Sequence, residues 1–300
     1  MNFFSKIKKA IHWRYHRIRN LWPIWQYFLN YKGRIFFKKH AGKLSELESE
    51  IAEDLKKGGI AFAKVTDFVS QDFFEELRKK ARELNEKVSR VSGEKKFFRF
   101  LLGSEEDVLP LDLLEPFARF SLSESILRIT GEYIGSSPIF NSYSVRATNI
   151  VPEDSTPYLS QRWHRDPDDK KMLKVFVYLT DVLEEGAGPF SYVKGSQYGG
   201  KWRNIFPQIP PVGAYPPLGA VEKIVPKEDI RVCLAPCGTI IFADTSGLHK
   251  GGFSTTRIRI MSISDYLSAA SKQEKRYLPP DEGGSKASNL SPLARYAIFQ

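Results

Sequence analysis

The sequence predicts a mainly β domain with helices ahead of it, and three observations carry that prediction. Beyond residue 138, short runs of β-branched and aromatic residues alternate with Gly, Pro and Asp, the pattern of antiparallel strands and turns. Between residues 44 and 135 the apolar residues recur at helical spacing instead. Residues 1–45 form a third region, holding eleven Lys or Arg and no carboxylate before Glu46.

A 300-residue chain that is 42% hydrophobic and 27% charged can bury a substantial core, which excludes collagen, coiled coil and wholesale disorder. The most apolar stretch, residues 21–31, is interrupted by Pro23, Gln26 and Asn30, well short of the roughly 20 apolar residues of a spanning helix. Cys233 and Cys237 are the sole cysteines, too few for a secreted disulfide framework or a zinc finger, so a reducing, cytoplasmic setting is expected. On β elements such cysteines are expected to be small core hydrophobes.

The net charge of +10 is localised. Past residue 45, thirty-four cations face thirty-five acids, so the body offers no footprint for nucleic acid. The basic arm also carries Phe3, Phe4, Trp13, Trp22, Trp25, Tyr27, Phe28 and Tyr31. Cations interleaved with aromatic rings suit peripheral contact with an anionic membrane; the alternative is an arm packed on the body with its charges solvated.

In chain order, Leu44, Leu47, Ile51 and Leu55 predict a helix over 44–57, stopped by Gly58-Gly59. A strand is expected over 60–65, then a helix from the capping residues 67–71 to about residue 88, and helices near 111–120 and 123–134. Residues 135–138 break the pattern. Strands are expected over 139–150, 161–166, 173–180, 189–193, 230–234, 239–243 and 257–265. Residues 197–226, with six prolines, form a long loop expected to cover a substrate.

Of the five histidines, only His164 and His249 lie beyond residue 40. On a strand, residues i and i+2 share a face, so His164 and Asp166 offer an imidazole and a carboxylate to one point. Two neutral nitrogens and a carboxylate make the ligand set of non-haem Fe(II) oxygenases, with His249 as the third member. A solvated His164–Asp166 pair is the bland alternative. Ten residues past His249 stands Arg259, with Arg257 on the same side of the expected strand, and a guanidinium can hold a dicarboxylate by paired hydrogen bonds. Lys174 and Arg146 are expected as rim charges, and Asn149 and Trp163 as groups that orient the ligands.

The runs Trp163-His164-Arg165-Asp166, 173–182, Gly188 to Ser196 and Gly238 to Asp244, continuing through His249-Lys250-Gly251-Gly252, resemble the phytanoyl-CoA dioxygenase family from about residue 47 to 266. That resemblance implies a double-stranded β-helix (jelly-roll) core, with Fe(II) as metal and 2-oxoglutarate as co-substrate. It implies His164, Asp166 and His249 as metal ligands and catalytic residues, and Arg259 as the 2-oxoglutarate clamp. The implied organisation is a basic arm over 1–45, a dioxygenase domain over 46–268 (helical 46–135, jelly roll 138–267) and a tail over 269–300. The implied reaction is hydroxylation of a C–H bond; the resemblance does not fix the substrate, and the basic aromatic arm points to a small-molecule, lipid-linked or glycan-related one. Asp166 stands where related halogenases carry a small residue, which favours hydroxylation over halogenation. Two departures are notable: Lys250-Gly251 replaces the Gly-Ser of many members, with the Arg one residue early, and Gln197 replaces a His, which is expected to alter the pocket rim. The competing readings are a non-catalytic membrane-associated binding protein on the same fold and a cupin-type metal enzyme that needs no 2-oxoacid.

Overall fold

The computed structural model describes residue 11 and residues 14–91, 98–103, 108–208 and 213–300. Phe3, Phe4, His12 and Trp13 of the arm, and residues 209–212 of the proline-rich loop, lie outside them.

Eleven strands are described: β1 (Ile60–Lys64), β2 (Phe98–Leu102), β3 (Leu109–Pro110), β4 (Ile139–Thr148), β5 (Leu173–Tyr178), β6 (Phe190–Val193), β7 (Ile230–Val232), β8 (Thr239–Ala243), β9 (His249–Gly251), β10 (Arg259–Leu267) and β11 (Tyr277–Leu278). Six form an antiparallel sheet in the order β1-β8-β5-β10-β4-β2, and three form a smaller antiparallel sheet in the order β7-β6-β9. Apolar side chains of both sheets, among them Phe176, Tyr178, Phe190, Tyr192 and Ile241, share one buried cluster. This mainly antiparallel arrangement with flanking helices is the jelly-roll core the sequence predicts.

The helices cover the outer face of the larger sheet. Glu46–Gly58 starts at a reciprocal cap between Ser45 and Glu48 and buries Ile51, Ala52 and Leu55. Glu124–Ile134 packs alongside and ends at Gly135, whose φ of 82° favours glycine. The helix expected over 111–120 begins only at Pro116: the residue before a proline avoids the helical region, and the Glu115 side chain caps Ala118 instead. The closing helix Pro292–Phe299 buries Leu293, Ala294, Ala297 and Ile298 in the main core.

The expected strand over 161–166 is not a strand. Its backbone N–H groups go to three different places, His164 to the His249 carbonyl (2.9 Å), Arg165 to Ala214 (3.0 Å) and Asp166 to Thr245 (2.9 Å). The segment thereby stitches β9, the proline-rich loop and the turn after β8 to one point. The loop 197–226 also carries a short helix, Ala220–Ile224, that the prolines conceal.

One face of the N-terminal segment packs on the body. Trp25 is buried and donates from Nε1 to Asp169 Oδ1 (2.6 Å), and Phe37 lies against Gly131 where a Cβ would collide with its ring.

Candidate active site

His164, Asp166 and His249 converge, with one ligand atom of each within 4.8 Å of the others. His164 Nε2 lies 3.6 Å from Asp166 Oδ1, and His249 Nε2 lies 3.6 Å from Asp166 Oδ2. Ligands in adjacent positions about 2.1 Å from a metal stand about 3 Å apart, so small side-chain rotations bring this set onto one ion.

Backbone carbonyls fix both imidazoles. His164 Nδ1 is 2.8 Å from the Arg162 carbonyl, and His249 Nδ1 is 3.0 Å from that of Gly247. A carbonyl can only accept, so Nδ1 carries the proton and the Nε2 lone pair faces the other ligands. Burial pulls both imidazoles below their ordinary pKa; in His249, with His164 adding to it, the value falls to about 3. Both rings are neutral at neutral pH, the form a metal needs. Burial opposes ionisation of Asp166, but the Lys174 ammonium outweighs it and holds the carboxyl well below the usual range.

Lys174 is therefore no rim charge. β5 lies inside the larger sheet, between β8 and β10, and Lys174 Nζ reaches Asp166 Oδ2 at 2.7 Å. It anchors one carboxylate oxygen, while Oδ1 faces His164 Nε2. Arg146, on β4 between β10 and β2, also lines the cavity, with its guanidinium 4.4 Å from the Phe100 ring centre.

The turn before His249 is held from below. Tyr192 donates to the Asp244 carbonyl (2.9 Å), Asp244 Oδ1 accepts from Ser246 N–H (2.9 Å), and any Cβ on Gly247 would collide with the Tyr192 hydroxyl. Arg165, between His164 and Asp166, points the other way. Its buried guanidinium donates to the carbonyls of Ser196 (2.6 Å), Ser246 (2.9 Å), Phe206 (2.9 Å) and Ile205 (3.0 Å). Burial without a carboxylate partner lowers its pKa to about 10. The proline-rich loop is thus tied to the triad, and Tyr215 from that loop stacks on His164 with ring centres 5.4 Å apart.

His164 and His249 open into a cavity of about 130 Å³ between the two sheets, which Arg259 also lines. Arg259 is buried, donates to the Gly188 carbonyl and to Thr148 Oγ1 (2.9 Å), and keeps Nε without a partner. Gln161 Nε2, another cavity-lining donor, is likewise unpartnered. Arg257 is not beside it: β10 starts at Arg259, and Arg257 is exposed and paired with Glu184 Oε1 (3.2 Å).

Other expected groups lie elsewhere. Gln197 is buried against the end of the helix Glu46–Gly58, donating to the Lys56 and Lys57 carbonyls (3.4 Å each), and does not line the cavity rim. Trp163 donates to Glu222 (2.6 Å) and Asn149 accepts from Arg99, so the carbonyls of Arg162 and Gly247 orient the imidazoles in their place. Cys233 is a buried core group whose thiol burial pushes up to about 12.

No family model matches the chain, and no curated protein matches it. Solved structures do. The epimerase SnoN in complex with Fe3+, alpha-ketoglutarate and nogalamycin RO aligns with a TM-score of 0.54 at 16% identity, over 77% of this chain and 87% of that one. EctD from S. alaskensis with bound Fe aligns with a TM-score of 0.52 at 15% identity, over 80% and 82%. AviO1 from Streptomyces viridochromogenes Tue57 gives 0.51 at 15%, over 77% and 98%. The chain shares their fold. At these identities the comparison concerns architecture alone, and the chemistry rests on the side chains described above.

Proposed function

We propose that the chain is an Fe(II)- and 2-oxoglutarate-dependent dioxygenase of the phytanoyl-CoA dioxygenase type that hydroxylates a C–H bond of a small-molecule or glycan-related substrate. The observation that carries this reading is the convergence of His164, Asp166 and His249 within 4.8 Å, at the wall of a cavity that both histidines and Arg259 line. The donor set, two neutral imidazoles and one ionised carboxylate, fits Fe(II), and the unpartnered Arg259 Nε fits an incoming carboxylate.

His164, Asp166 and His249 hold the metal. Arg259 grips the far carboxylate of 2-oxoglutarate, with Thr148 and the Gly188 carbonyl setting the plane of its guanidinium. Bound iron and 2-oxoglutarate supply the oxidising power for the C–H bond. Lys174 keeps Asp166 ionised and fixed, and Tyr215 with its loop keeps water from the His164 side. Fe(II)-dependent conversion of 2-oxoglutarate to succinate by the purified chain, lost in Arg259→Ala, is the expected result; no conversion at any Fe(II) concentration contradicts the reading.

The N-terminal segment adds a peripheral contact with an anionic membrane. While Trp25 and Phe37 pack inward, Tyr27, Phe28, Tyr31 and Ile35 are exposed, Phe28 at 75%, beside Lys32, Arg34, Lys38 and Lys39. Among the described residues no helix is long and apolar enough to cross a membrane. A cationic surface studded with aromatic rings is complementary to anionic headgroups. Flotation with phosphatidylglycerol-containing vesicles, but not with pure phosphatidylcholine, is expected, and Phe28→Ser with Tyr31→Ser should abolish it. Equal flotation of the double variant contradicts this contact.

A further inference from the structure

The end of the cavity opposite Arg259 holds a buried acid. Asp265 stands six residues further along β10, about 20 Å away at strand spacing, and also lines the cavity. It is 7% exposed, and among the described residues its Oδ1 has no hydrogen-bond partner. Its Oδ2 receives one long contact, 3.4 Å, from Asn141 Nδ2, and Asn141 Oδ1 is itself buried and unpartnered. Lys174 is directly opposite Asp265 in the β5–β10 register, but its ammonium goes to Asp166. Burial, set against the pull of Lys174, raises the Asp265 carboxyl to about 7.

The surrounding wall is polar as well, with Ser142, Ser144, Asp168 and Arg276 lining the same space. A buried acceptor left bare costs free energy, and a hydrocarbon chain laid against it would make that loss permanent, whereas a ligand that donates a hydrogen bond recovers it. We propose that this end is the substrate subsite and that Asp265 receives a hydrogen-bond donor of the substrate, a hydroxyl or an ammonium, so that the substrate is a polar molecule and not an acyl chain. This rests on the dioxygenase reading, because it assigns the Arg259 end to 2-oxoglutarate and leaves the Asp265 end for the second reactant.

The test uses the full chain loaded anaerobically with Fe(II) and 2-oxoglutarate, so that the Arg259 end is filled. The probes are cyclohexanol, cyclohexylamine, cyclohexanecarboxylate and hexanoate, titrated while the thermal unfolding midpoint is followed. The alcohol or the amine is expected to bind at least about tenfold more tightly than either acid, the size of one hydrogen bond to a charged group. Which of the two wins reports whether the donor is neutral or charged. Asp265→Leu should erase the preference, and Asp265→Asn, which keeps an acceptor but no charge, should retain it for the alcohol alone. Acids binding as tightly as the alcohol and amine, no probe binding at all, or a preference that survives in Asp265→Leu would each overturn the proposal. If the Leu variant does not fold, the wild-type ranking decides. The visible band of the Fe(II)–2-oxoglutarate chelate, which needs only the triad and Arg259, reports separately on the dioxygenase reading.

Discussion

The two ends of strand β10 face one cavity with opposite demands. At its start Arg259 is a buried cation that has satisfied two of its donors on the protein and kept Nε bare. Near its finish Asp265 is a buried acid with a bare acceptor. Between them Met261 and Ile263 line the cavity with apolar side chains, and the triad approaches from the facing sheet. The two ends thus present different free groups to what enters, a donor at Arg259 and an acceptor at Asp265. The arrangement is set by the strand, since all four residues occupy alternate positions of a single pleat.

Four perturbations sharpen that contrast, in falling order of size. Arg259→Ala should weaken 2-oxoglutarate binding about 100-fold in an equilibrium titration, since the charge-assisted hydrogen bond from Nε and the cation itself are lost, and Arg259→Lys should recover only part of this. Asp265 acts through pH. Its carboxyl has a folded-state pKa near 7, above the usual unfolded value, so the folded state holds the extra proton between about pH 4 and 7 and loses stability as pH rises through that window. In the metal-free protein, Asp265→Asn should remove that slope, a difference on the order of a few kcal/mol in denaturant unfolding at pH 7 relative to pH 4.

Lys174→Met addresses the middle of the cavity. Without the ammonium, one oxygen of Asp166 loses its anchor, and metal affinity should fall about tenfold by competition with a chromogenic chelator. Arg257→Ala is the smallest. Its pair with Glu184 is exposed, so stability should change by under about 1 kcal/mol and 2-oxoglutarate affinity should not move.

The parts of this arrangement that were legible in the sequence are those written in rare side chains. Two histidines stand alone in the 260 residues beyond residue 40, one of them two positions from Asp166, and that scarcity marks the triad. The short β-rich runs likewise announce the antiparallel core. The groups that orient the imidazoles were not legible, because they are the carbonyls of Arg162 and Gly247, and a carbonyl has no sequence signature. Arg257 and Arg259 are equivalent by strand alternation, and only the point at which β10 begins separates them. Lys174 reads as a rim charge until the strand order puts β5 inside the sheet. Gln197 was misplaced for a related reason: the turn at Gly195 directs it toward the end of the helix Glu46–Gly58 and away from the cavity. Arg165 has the least visible role, since its partners are main-chain atoms of two segments, around 196–206 and at Ser246, 31 to 81 residues distant.

On the proposed reading, His164, Asp166 and His249 bind one ferrous ion that 2-oxoglutarate chelates. Under argon, adding Fe(II) and 2-oxoglutarate to the wild-type chain should produce the visible charge-transfer absorption of the chelate, and the same additions to His164→Ala should not. A wild-type spectrum that stays blank, or an undiminished band in His164→Ala, would contradict the account.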